Sequence, residues 1–149
     1  MCYNNLVLEG QKARKKKMAK DFDYLRKQLL FHRITEWNQN RIVLDNGMTL
    51  TIEETEQDCC AAAGGKFEDV VLDAAITYVG DIEYNAWEDG DTYGCSAVVT
   101  IMHNRNVICR AIADADAGNG GYYYSIASFV VRPVEGESYD IHFVGSDDK

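Results

Sequence analysis

The segment RIVLDNGMTLTI (41–52) constrains the fold more than any other stretch of the chain. Two short apolar runs of period 2 flank Asn46-Gly47, a dipeptide suited to the positive φ angles of a tight hairpin turn. A hairpin here implies antiparallel pairing, and similar signals recur downstream. CSAVVTIMH (95–103), the turn NRN and VICRAIAD (107–114) predict a second hairpin. AITYVGDIEYNAW (75–87) reads as a strand bent at Gly80, YYYSIASFVVRPV (122–134) as a long strand and YDIHFVG (139–145) as a short last one. EDGDTYG (88–94) and DAGNGG (116–121) are turns by composition. EETEQDCCAAAGG (53–65) reads as a loop, and KFEDVVLD (66–73) suits a short helix or a strand.

Before residue 40 the hydrophobic period is that of a helix. Met18, Phe22, Leu25 and Leu29 are spaced by four, three and four and share one face, which predicts a helix from Gln11 to about Trp37 after an irregular stretch over 1–10. The expected fold is therefore α+β: one N-terminal amphipathic helix, then an antiparallel β meander or small sandwich. Residues 1–40 form the basic N-terminal part and 41–149 the β part of one compact domain, which 149 residues suffice to build.

Charge divides the chain at the same place. Residues 1–33 hold nine basic groups against three acidic, a net +6, and residues 34–149 hold six against twenty-one, a net −15, which together give the overall −9. Lys12, Arg14, Lys15, Lys16, Lys17 and Lys20 crowd the start of the helix, where the macrodipole disfavours positive charge. The stretch fits a solvated helix end, a surface that docks on the acidic body or on a second copy, a partner contact, or a site for nucleic-acid phosphates. The acidic body would repel nucleic acid or an anionic membrane and attract a basic surface, so no direct nucleic-acid binding and no membrane contact are expected. Glu83, Glu88, Asp89, Asp91, Asp114 and Asp116 are the candidate acidic contact residues.

Five cysteines without a secretory leader fit reduced thiols in a cytoplasm, and no run of apolar residues is long enough to cross a membrane. Asp58-Cys59-Cys60 offers two adjacent soft ligands, but zinc sites usually show wider spacing and a second pair. Two adjacent thiols are also expected to resist joining to each other because of strained geometry. Asp114 and Asp116 match a calcium loop poorly, and turn chemistry accounts for them better. No nucleophile motif, metalloprotease motif or phosphate-cradling loop is present, so neither catalytic residues nor a cofactor are expected. Tyr122, Tyr123 and Tyr124 are expected to alternate across a strand, leaving at least one ring exposed for binding.

DNGMTLTI, DCC, FEDV and NGGYYYS in this order resemble small bacteriophage and prophage proteins that carry a double-cysteine loop and an N-G-Y-Y turn. The likeness covers roughly residues 41–131. It rests on Asp58, Cys59, Cys60, Phe67, Asp69, Asn119, Gly120, Tyr122 and Tyr123. The chain departs from the pattern at Gly121 and at Tyr124-Ser125. The resemblance implies a phage protein in the cytoplasm of a bacterial host. The function expected is that of a non-enzymatic, anti-CRISPR-like inhibitor whose acidic surface engages a basic host nucleic-acid-handling defence protein. Two alternatives stay open: a sponge for a small nucleotide immune signal, with the DCC loop and NGGYYY turn lining its pocket, and a zinc-stabilised domain.

Overall fold

A computed structural model of the chain describes residues 2–148, with side chains described from Lys16 onward. Among the described residues the chain forms one α-helix and ten strands. Helix α1 spans Cys2–Leu29. The helix begins nine residues before the expected Gln11, so the stretch over 2–10 read as irregular is helical, and the basic run from Lys12 to Lys17 lies within α1 and not at its start. The side chains of Lys12, Arg14 and Lys15 lie outside the residues whose side chains are described.

The helix stops eight residues short of the expected Trp37. Phe31 adopts a left-handed φ of 72° and donates its N–H to the Ile76 carbonyl at 2.7 Å. That conformation ends a helix, and glycine usually supplies it. The bulky residue hides the stop signal, and the β-branched Ile34-Thr35 then opens strand β1 (Ile34–Asn38).

The hairpin read from residues 41–52 is present as β2 (Arg41–Leu44) and β3 (Thr49–Gln57). Its turn differs from the expected type. Gly47 alone has positive φ, at 85°, and its N–H donates to the Leu44 carbonyl at 2.9 Å. The connection is a type I turn followed by a left-handed glycine, the common three-residue hairpin loop. β3 runs on through residues expected to be loop. Only 58–62 turn before β4 (Ala63–Glu68).

The predicted bend at Gly80 divides β5 (Tyr78–Val79) from β6 (Glu83–Asp89), and both pair with β7 (Thr92–His103). β7 and β8 (Asn106–Asp116) form the second hairpin. A 3₁₀ turn over Asn119–Gly121 follows, then β9 (Ser125–Arg132) and β10 (Tyr139–Gly145). Tyr122, Tyr123 and Tyr124 therefore precede the strand and do not alternate across it. DAGNGG turns as its composition predicts, but it links strands of different sheets, β8 and β9, and not a paired hairpin.

The strands form two antiparallel sheets, ordered β1-β2-β3-β9-β10 and β4-β8-β7-β5, with β6 also on β7. Of the two expected arrangements it is the sandwich, since β3 pairs with β9 across a long stretch of chain. The sheets share one core. The first contributes large groups, including Leu50, Phe129 and Phe143, and the second sets small ones, Cys95, Ala97, Ala111, Ala113 and Ala115, beside Phe67, Val99, Ile101 and Ile108. This pairing of large with small lets the sheets approach closely. At Gly65 an added Cβ would lie 2.5 Å from the Ile52 side chain. Helix α1 closes the side of the sandwich along β10. Phe22, Leu25 and Leu29 are buried as their spacing predicts, and Phe22 stacks on Phe129, which stacks on Phe143.

Candidate functional site

Strand direction brings four segments to one end of the sandwich. The register pairs Gln57 with Ser125 and Ile126 with Gly145 in one sheet, and Ala63 with Ala115 and Gly94 with Asp116 in the other. Ser125 ties the two together: its buried hydroxyl lies 2.9 Å from the Ala62 carbonyl and 2.7 Å from the Asp116 carbonyl.

The segments gathered there are 54–62, 86–94, 114–126 and 145–148. They carry Glu54, Glu56 and Asp58; Glu88, Asp89 and Asp91; Asp114 and Asp116; Asp147 and Asp148, which makes ten carboxylates without one lysine or arginine among the described residues of these segments. Sequence reading found the acidic excess but not this pole, because the four segments are far apart along the chain. It also missed Glu54, Glu56, Asp147 and Asp148 as members.

The predicted acidic residues have unequal roles. Glu88, Asp89 and Asp91 are exposed around the β6–β7 turn, and Glu83 is exposed further along β6. Asp114 accepts bonds from Trp87 Nε1 and Ser96 Oγ, both at 2.8 Å. Asp116 is a structural turn residue, accepting from the N–H groups of Ala62 and Gly118 at 3.1 and 2.9 Å.

Beside the pole lies a cleft of about 1150 Å³ between α1 and the edges of both sheets. Met18, Phe22 and Arg26 line one wall, Tyr84, Glu88 and Tyr93 another, and His142, Asp147 and Asp148 its end. The Tyr84 hydroxyl bonds the Phe143 carbonyl at 3.4 Å, and burial pushes its pKa up to about 12. Tyr93 donates to Asp147 at 2.9 Å, and that bond to a carboxylate raises its pKa. Arg26 is held by the Val79 carbonyl, Asp23 and Asp81, with its guanidinium 5.0 Å above the Phe22 ring.

Aromatic faces among carboxylates suit a cationic side chain and disfavour an anionic nucleotide. His142 and Asp148 lie 2.7 Å apart, but among the described residues no hydroxyl or thiol is hydrogen-bonded to His142. Lys16, Lys17 and Lys20 are exposed on the turns of α1 around Met18, and among the described residues none ion-pairs with a carboxylate.

The motif residues of the two loops meet at this end. Asp58 N–H donates to the Tyr124 carbonyl at 2.9 Å, and a Cβ on Gly118 would lie 2.7 Å from the Cys60 carbonyl oxygen. Asn119 and Gly120 sit in the 3₁₀ turn, with Gly120 at a φ of 76°. Tyr122 is 85% exposed, whereas Tyr123 is partly buried. Cys59 and Cys60 are both exposed free thiols, not joined to each other, with their sulfurs 3.0 Å apart. Among the described residues no three His, Cys, Asp or Glu side chains converge as metal ligands. No described helix is long and apolar enough to cross a membrane.

No curated protein and no solved structure matches this chain. One family model matches, described as a domain of unknown function (DUF7448), and it covers residues 27–130, from the last turn of α1 to the middle of β9. It takes in the DCC loop, the β6–β7 turn and the NGGYYY segment, so most of the acidic pole is built on the shared domain, and the chain belongs to the DUF7448 family.

Proposed function

We propose that the protein is a non-enzymatic binding protein that captures a basic protein surface with its acidic pole. The partner class is a host nucleic-acid-handling defence protein, and the action is anti-CRISPR-like inhibition in the cytoplasm of a bacterial host. The phage setting rests on the resemblance of the DCC and NGGYYY motifs to phage proteins.

One observation carries the reading: ten carboxylates and, among the described residues, no lysine or arginine in the four segments at one end of the sandwich. A nucleic-acid-binding protein presents a groove of opposite sign. Complementary charge speeds encounter, fixes orientation and competes with the phosphate backbone for the same groove. The aromatic cleft beside the pole adds a place for one arginine or lysine of the partner to be held between tyrosine faces and carboxylates.

The test is capture from host lysate on the immobilised full chain at low and at high salt. The expected result is recovery of a basic nucleic-acid-binding protein at low salt that is lost at high salt. It should also be lost when Glu88, Asp89 and Asp91 are replaced by their amides. Recovery that survives both changes would overturn the role of the pole.

A further inference from the structure

The β3–β4 connection holds a feature that a charged binding surface does not need. Unpaired cysteines are usually among the most buried residues. Cys95 and Cys109 follow that pattern, and burial pushes Cys109 up to about 12. Cys59 and Cys60 are instead both exposed, with their sulfurs 3.0 Å apart.

The backbone shows how they come together. Ala61 N–H donates to the Asp58 carbonyl at 3.2 Å, closing a β-turn in which Cys60 is the third residue. Its φ of 75° is the left-handed value that such a turn normally assigns to glycine. Glycine would serve the turn better, so the cysteine at this position requires another reason. Its side chain supplies one by placing a second sulfur against the first. The turn is also anchored on both sides, by the Asp58–Tyr124 backbone bond and by the close approach of Gly118 to Cys60.

We propose that Cys59 and Cys60 form a vicinal dithiol site that undergoes thiol–disulfide exchange with small disulfides and closes to a Cys59–Cys60 disulfide. The hydrogen bond with Cys59 holds Cys60 above the usual thiol pKa, with the Tyr123 hydroxyl acting the other way. Cys60 therefore ionises less readily than a free thiol, and Cys59 is assigned as the attacking sulfur. The Cys59 thiolate, its proton given up to solvent, attacks one sulfur of a disulfide RS–SR and expels RS⁻. This leaves a mixed disulfide between Cys59 and RS. Cys60 then loses its proton, and its thiolate attacks the Cys59 sulfur and expels the second RS⁻, which with the first takes up the two protons released. The protein is oxidised by two electrons, and the small disulfide is reduced to two thiols. The ligand class is any small disulfide able to reach an exposed turn, with oxidised glutathione as the probe.

The full-length reduced protein is incubated with oxidised glutathione, and its intact mass and peptide map are followed. The expected end product lacks two hydrogen atoms, carries no glutathione and maps the bond to Cys59 and Cys60. Cys60→Gly, which suits the left-handed turn and keeps the fold by circular dichroism, should instead stop at a persistent glutathione adduct on Cys59. Cys59→Ser should show neither adduct nor hydrogen loss at this turn. A wild-type protein that ends as a stable glutathione adduct would overturn the proposal. So would a two-hydrogen loss that persists in Cys60→Gly, because the bond would then join other cysteines.

Discussion

Trp87 Nε1 donates to Asp114 Oδ1 at 2.8 Å across the outer face of the second sheet, and the Ser96 hydroxyl donates to the same oxygen. Trp87 lies over its cross-strand partner Gly94, where a Cβ would sit 2.4 Å from the indole ring and 2.3 Å from the Ala115 carbonyl oxygen. Gly94→Ala is therefore expected to displace the indole and destabilise the fold by about 1–3 kcal/mol. Asp114→Ala should cost about 1 kcal/mol by leaving two donors without their acceptor. Denaturant midpoints read both losses, and tryptophan fluorescence should shift in each variant.

Arg26 fastens α1 to the edge of the second sheet through the Val79 carbonyl at 3.0 Å and Asp81 at 2.7 Å, and it also packs on Phe22. Its ion pairs are largely exposed and contribute little. The bond to the backbone carbonyl and the packing of the stem on the aromatic ring account for most of its effect. Arg26→Ala should lower stability by about 1–2 kcal/mol. Lys27→Ala, one residue on and exposed, should change it by less than about 0.5 kcal/mol. Equal effects in thermal melts would remove the anchoring role.

Crowding ten carboxylates at one end sets like charges against one another in the folded state. Replacing Glu88, Asp89 and Asp91 by their amides should raise the melting temperature at low ionic strength. The gap to wild type should close as salt is added, because screening does for the native chain what the substitutions do. A triple variant that melts at or below the wild type at low salt would show that the pole is not self-repelling.

Stability should fall towards both ends of the pH range. Asp45 is held below its usual value by the hydrogen bond from His32, and Glu53 by those from Arg132 and Thr51. A depressed carboxylate stabilises above its unfolded pKa, and that contribution disappears as pH falls through the folded value. Arg132→Ala should therefore flatten the acid limb below pH 4.5, the unfolded reference for Glu53.

At the alkaline end the sign is opposite. Burial raises Cys109 from 9.0 to about 12 and Tyr84 from 10.0 to about 12. Both favour the fold fully below their unfolded values and lose that effect as pH climbs towards 12. Buried Cys109 alone gives a slope of about 1.4 kcal/mol per pH unit above its unfolded pKa. Cys109→Ala should remove that slope, as read from denaturant midpoints between pH 9 and 11.

Local chemistry made much of this fold legible. The apolar stripe Phe22-Leu25-Leu29, the Asn46-Gly47 turn, the bend at Gly80 and the hairpin around Asn104-Arg105 are set by residues near one another in sequence, so their signals survive without tertiary contacts. The end of α1 was hidden because Phe31 takes a left-handed conformation that glycine would have announced. The length of β3 was hidden because polar residues suffice on its exposed end.

The sequence by itself determined the charge imbalance, the helix face and the antiparallel habit. Only the tertiary structure decided that β3 pairs with β9, and this pairing places Gln57 beside Ser125 and so brings the DCC turn against the NGGYYY segment. That pairing joins residues nearly seventy positions apart. No local propensity encodes it; it forms because two sheets bury each other's apolar inner faces. The acidic pole is a product of that long-range pairing, which also sets the locally formed dithiol turn against its neighbour.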